Sequence, residues 1–180
     1  MHRIHILGIS GSLRNDSSNT HILNAAFSLL PKNTTFEVFQ KLDQIPPFSP
    51  GDDGNDVVKD FKKTVANAYG VIICTPEYAF GVPGILKNLL DWTVSTGEFN
   101  DKPLCAISAS PLNSGGDKAL ASLLLTLTAL GAKKNEQSSL SIPNIKMKLD
   151  NSGKLTDLKT IDQLKYQINN LLQLIGLCGF

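Results

Sequence analysis

Cysteine is scarce: Cys74, Cys105 and Cys178 are the only three in 180 residues. They are too few and too far apart for a disulfide framework, and no CxxC pair or His-rich spacing offers zinc a ligand set. Cys74 and Cys105 fall inside apolar runs and read as small core residues. Charge of one sign is lacking too. Seventeen Lys and Arg against 16 Asp and Glu leave a net charge of +1, so no strong field draws in nucleic acid or anionic lipid. The longest basic runs are the pairs Lys62–Lys63 and Lys133–Lys134, which read as solvated surface. No apolar run approaches the roughly 18 residues that cross a bilayer, and the N-terminus lacks a basic region followed by a secretory apolar stretch. The expectation is a cytoplasmic protein without a membrane or nucleic-acid partner, folded as one domain over 1–180. The nucleotide-binding patterns GxxxxGK[ST] and GxGxxG are missing as well.

What is present is an alternation. The stretches RIHILGI, TTFEVF, YGVIICT and KPLCAIS are short apolar or alternating runs of strand type, and KNEQSSLSI holds a weaker fifth. Helical patterns separate them. Ile22, Ala26 and Leu29 share one face before Pro31, and Val57, Val58, Phe61 and Val65 share another before Gly70. In GVPGILKNLLDWTV, Pro83 is placed in the first helical turn, with Ile85, Leu86, Leu89 and Leu90 as the apolar face. Leu120 to Leu130 form a fourth helix stopped by Gly131. Leu158, Ile161, Leu164, Ile168, Leu171 and Ile175 mark a fifth. Strand and helix alternating about five times predict an α/β fold, a parallel sheet covered on both faces, with its ligand at the strand C-terminal ends.

Three polar, glycine-containing loops follow the first, third and fourth strands. In the first, GISGSLRNDSSN, Gly8 and Gly11 permit close approach and the following helix offers unpaired amides. Ser10, Ser12, Ser17 and Asn19 add hydrogen-bond donors, and Arg14 adds a permanent charge suited to a dianionic phosphate. The same residues also suit an ordinary strand-to-helix connection capped by Ser18 or Asn19, with Arg14 in solvent. A serine hydrolase fits poorly. GISGS begins like GxSxG but carries Ser12 at the last glycine position, and His2, His5 and His21 supply no late triad histidine.

The second loop, TPEYAFGVPGILKNLLDW, sets an acidic and aromatic turn before Pro83 and a helix bearing Lys87, Asn88, Asp91 and Trp92. Together with GSLR and the Ser17/Asn19 spacing, it resembles the NADPH-dependent FMN reductase family, which includes bacterial quinone, azo and chromate reductases. The resemblance runs through nearly the whole chain. It implies a flavodoxin-like doubly wound five-stranded parallel sheet in the order 2-1-3-4-5. It implies FMN as cofactor and NADPH or NADH as co-substrate, with a small-molecule electron acceptor. It places the FMN phosphate on Ser10, Ser12, Leu13, Arg14, Ser17 and Asn19. The isoalloxazine falls against Pro76, Glu77, Tyr78, Ala79, Phe80 and Gly81, whose amides suit the polar ring edge and whose aromatics suit its face. SASPLNSGG, the third loop, then supplies Ser108, Ser110 and Asn113 at the ring edge, or else serves turn geometry alone.

The family's loop is of PEYN type, and this chain has Ala79 at the asparagine position. A contribution made through the backbone survives that exchange; one made through the side-chain amide does not. The resemblance further implies a homodimer or dimer of dimers. Trp92 suits an interface or the core equally, and Glu77 suits a positioning role. No dedicated nucleophile is expected, because the cofactor carries the chemistry. A non-enzymatic flavodoxin-like electron carrier and an FMN-dependent redox-responsive regulator are the competing functions.

Overall fold

A computed structural model describes residues 3–176, so His2 and Cys178 lie outside the described residues. Five parallel strands form one sheet: β1 (Ile4–Ser10), β2 (Thr34–Val38), β3 (Gly70–Thr75), β4 (Leu104–Ala109) and β5 (Ser139–Ile142). Their order is β2-β1-β3-β4-β5, as the resemblance implied. The helices are α1 (Ser18–Ser28), α2 (Asp56–Asn67), α3 (Gly84–Asp91), α4 (Asp117–Ala129) and α5 (Leu158–Ile175).

Every residue of β3 and β4 is buried, which is why these strands read as continuous apolar runs instead of alternating ones. Successive side chains then divide between two cores. Leu7, Ile9, Val71, Ile73 and Ala106 pack with Val58, Phe61 and Val65 of α2, Leu86 of α3 and Leu123 of α4. Ile6, Ile72, Cys74, Cys105 and Ile107 pack with Ile22 and Leu23 of α1 and Leu164, Ile168 and Leu171 of α5. Each such aliphatic side chain contributes roughly 1.5–3 kcal/mol on burial, and the doubly covered sheet brings its C-terminal ends to one edge.

Two local expectations shift. Pro83 sits just ahead of α3, at φ −54° and ψ 135°, because its extended ψ cannot belong to a helical turn. Ser17, not Ser18 or Asn19, caps α1, its hydroxyl accepting from the Asn19 amide. Trp92 is core. It is 1% exposed, packs edge-on against Phe48, and donates its indole N–H to the Pro46 carbonyl at 2.9 Å. Asn88 helps by accepting from the Phe48 amide and donating to the same Pro46 oxygen, both at 2.8 Å. This helix face therefore clamps the 46–48 loop, while Lys87 and Asp91 pair with each other at 2.6 Å.

Candidate active site

β1 ends at Ser10, and the chain must turn at once to start α1. Gly11 makes this turn against β3: its amide donates to the Cys74 carbonyl at 2.8 Å. A Cβ at Gly11 would lie 3.0 Å from the Leu86 side chain and 3.1 Å from the Thr75 hydroxyl, so any larger residue here would press on both. Beyond it the loop is organised by its own hydroxyls. Ser10 meets Thr20 at 3.1 Å and accepts weakly from the Ser12 amide at 3.4 Å, while Ser12 accepts from the Arg14 amide at 3.3 Å. Ser17 and Asn19 are buried; Leu13 and Arg14 are exposed.

Asn19 is held from below. The Cys74 thiol donates to its Oδ1 at 3.3 Å, and burial, reinforced by neighbouring Cys105, raises its pKa well above the ordinary value, so the donor proton is kept into the alkaline range. The Asn19 side-chain oxygen is thereby engaged, which leaves its NH2 as the donor for anything placed above α1.

The second loop is a hairpin. Tyr78 and Gly81 exchange two backbone hydrogen bonds, each 3.0 Å, around Ala79 at φ 48° and Phe80 at φ 60°. Two central residues at positive φ mark the type I′ turn that suits a tight hairpin, a turn built for Asn and Gly. Asparagine tolerates this region better than alanine does, so Ala79, at the asparagine position of the PEYN-type loop, holds the turn at a conformational cost. Tyr78 is 53% and Phe80 80% exposed.

The three loops converge. A cavity of about 320 Å³ is lined by Arg14 and Asn19 from the first, Pro76, Glu77 and Tyr78 from the second, and Ser110 from the third. The N-terminus of α1 opens into it through Ser18, so unpaired first-turn amides and the positive end of the helix dipole lie beside Arg14. Other expected residues stand around the cavity without lining it. Ser17 is the α1 cap, and Ser108 donates to the Gly115 carbonyl at 2.8 Å, pinning the third loop. Ser10, Ser12 and Leu13 line a neighbouring hollow towards the C-terminal end of β2, and Leu13 and Tyr78 line another in front of α3. Asn113, Ala79 and Phe80 are exposed at loop tips and Gly81 closes the hairpin.

Ser18, Ala109, Pro111 and Leu112 line the cavity from within the expected loops without having been expected to, and two more lining residues lie outside all three loops: Ile145 and Lys146, on a short 3-10 turn, Ile145–Met147, just after β5. The available signal was the rule that ligands meet strand C-terminal ends, applied to a strand whose pattern was faint. Lys146 adds a second cation beside Arg14. A larger apolar groove of about 430 Å³ runs between α1 and residues 152–155, but it shares no residue with the three loops.

Comparison with known proteins follows this geometry. The model of the NADPH-dependent FMN reductase family matches residues 4–146, a span that includes all three loops. An NAD(P)H-dependent FMN reductase of Pseudomonas aeruginosa is 30% identical over 178 residues, covering 93% of each chain. A quinone reductase of Escherichia coli K12 is 27% identical over 176 residues, covering 92% of each. Among solved structures, the flavoenzyme NAD(P)H:(acceptor) oxidoreductase FerB of Paracoccus denitrificans superposes with a TM-score of 0.86 at 24% identity, over 98% of this chain and 100% of that one.

Proposed function

The chain belongs to the NADPH-dependent FMN reductase family, and on that premise we propose that it is an FMN-carrying oxidoreductase taking electrons from NADPH or NADH to a quinone, azo or nitroaromatic acceptor. It acts as a single domain. Bound FMN supplies the two-electron chemistry; the protein supplies grip, orientation and exclusion of water.

The observation that carries the assignment is the convergence of all three loops on one cavity lined by Arg14, Ser18 and Asn19. Arg14, the α1 amides and the Asn19 side-chain NH2 suit a phosphomonoester, which is predominantly dianionic near neutral pH. Lys146 adds a second positive charge to the lining of the cavity. Pro76, Glu77 and Tyr78 line the same space as Ser110 and its neighbours, which suits a flat, amphipathic ring held by backbone amides on its edge and an aromatic side chain near its face. No nucleophile is needed: the two described cysteines are buried and serve packing and the Asn19 contact.

A homodimer or dimer of dimers is part of the proposal. Leu13, Tyr78, Phe80, Leu112 and Met147 are all more than half exposed, and large apolar side chains gathered on the loops of one edge favour cover by another protein surface. Cytoplasmic residence is part of the proposal; separately, none of the described helices is long and apolar enough to cross a membrane. Against a flavodoxin-like electron carrier stands the net charge of +1, which provides no acidic docking field.

The test is anaerobic addition of NADPH to the purified protein while its visible absorbance is followed. Yellow protein that bleaches rapidly, and recolours when a quinone is added, supports the assignment. A colourless protein that FMN cannot reconstitute contradicts it.

A further inference from the structure

We infer that Glu77 is a positioning residue: its carboxylate caps helix α4 from outside that helix and so locks the 76–81 hairpin, one wall of the cavity, to α4. The inference rests on the FMN assignment and concerns how the hairpin wall of the cavity is held.

α4 starts without a local cap. The residue before it, Gly116, has no side chain and sits at φ 82° with no side-chain hydrogen bond to the helix. The neighbouring acid, Asp117, lies 3.6 Å from the Lys118 ammonium. Yet the Ala119 amide, in the first turn, does not go unpaired: it donates to Glu77 Oε2 at 2.9 Å. This is the bond that an Asp or Ser immediately ahead of a helix ordinarily supplies, delivered here by a residue 42 positions earlier in the chain. The negative carboxylate also complements the positive end of α4.

The same residue lines the cavity together with Ser110 and Pro111, so one side chain ties the hairpin to the first turn of α4, the helix that follows the third loop. Nothing else does so by a side-chain hydrogen bond among the described residues. Tyr78 and Gly81 bond each other, and the Thr75 hydroxyl bonds the Pro76 carbonyl within the same segment. Gly116 packs beside both loops: a Cβ there would press on Ser108 Cβ at 3.2 Å and touch Glu77 Cβ at 3.5 Å. A hairpin with two consecutive side-chain-bearing residues at positive φ needs such an outside restraint. A wall held in place before the ligand arrives spares the cost of ordering it on binding.

A second role for a carboxylate in this position would be direct electrostatic action on the flavin. The two separate by substitution. Glu77→Gln keeps an oxygen that accepts from Ala119 and loses the charge, Glu77→Ala loses both, and Glu77→Asp keeps the charge on a side chain one methylene too short. FMN affinity is read from quenching of flavin fluorescence, and exchange of the Ala119 amide is read in the same apoproteins. Removal of a charge-assisted hydrogen bond should weaken FMN binding about tenfold in Glu77→Ala and Glu77→Asp. Glu77→Gln should stay within about threefold of the parent. The Ala119 amide should exchange faster in the Ala and Asp variants and stay protected in the Gln variant. Should Glu77→Ala fail to fold, the Asp and Gln pair carries the comparison. Parent-like affinity in the Ala or Asp variant, or a Gln variant as weak as the Ala one, overturns the capping role. A parent chain that does not bind FMN would sink the FMN assignment instead, and Ala119 exchange would still decide the cap.

Discussion

Replacing the tip of the 76–81 hairpin with the residues its backbone asks for should stabilise the protein. Ala79 and Phe80 occupy φ 48° and φ 60°, where an L-residue with a Cβ carries a penalty of about 1 kcal/mol or more. Phe80 is 80% exposed, so its side chain returns little burial energy for that strain. In the double variant Ala79→Asn/Phe80→Gly, asparagine is tolerated in the left-handed region and glycine is unstrained there, which relieves about 2 kcal/mol in all. Glycine gives back roughly 0.4–1 kcal/mol through the freer unfolded chain, and asparagine keeps part of its own penalty. The net gain is about 1 kcal/mol, and for a chain of this size that raises Tm by about 2–4 °C. Calorimetry of the FMN-free variant and parent reads it directly. An unchanged or lowered Tm would refute the reasoning, because it would mean that Phe80 makes a stabilising contact or that the turn holds no strain. Turnover should move the other way, with a raised acceptor KM, since an exposed aromatic kept at a conformational cost is the pattern of a functional site.

Three further outcomes are expected. Arg14→Ala should weaken FMN binding by about ten- to a hundredfold, the range of one charge-assisted bond to phosphate, and should flatten the salt dependence of affinity; an unchanged dissociation constant would remove Arg14 from the grip. Cys74 and Cys105 are fully buried, with burial pushing Cys105 up to about 12 and Cys74 well above its ordinary value. In a Cys178→Ser background the folded protein should therefore resist a thiol reagent at neutral pH and react on unfolding, and prompt modification while folded would contradict the packing. Because these folded-state pKa values lie above the unfolded ones, the thiols' contribution to stability is intact below about pH 8.5 and is lost as pH climbs from there towards 12; a Tm flat across that alkaline range would oppose it.

Much of the architecture was legible because its signals are local. α5 runs Leu158–Ile175, the span marked out by its apolar period, and β3 and β4 announce themselves as unbroken apolar runs. β5 is fainter for a physical reason: it is a four-residue edge strand with only Leu140 and Ile142 buried. The faintness hid the residues just past it, Ile145 and Lys146, from the expected site. Ser17, Ser18 and Asn19 are all good helix caps, and only the fold selects Ser17. The positive φ of Ala79 and Phe80 was invisible, since neither residue type signals a type I′ turn. The partnership of Glu77 with Ala119 was invisible too, since it joins two loops far apart in the chain. Trp92 suited core or interface equally until the Pro46 carbonyl was found beneath its indole N–H.

The account depends most on the first loop holding a phosphate, and affinity measured side by side for FMN and riboflavin, which differ by that group alone, tests this most directly. With Arg14, the α1 amides and Asn19 all engaged, FMN should bind at least about a hundredfold more tightly, as expected of two or more charge-assisted hydrogen bonds. Equal affinities for the two flavins would contradict it.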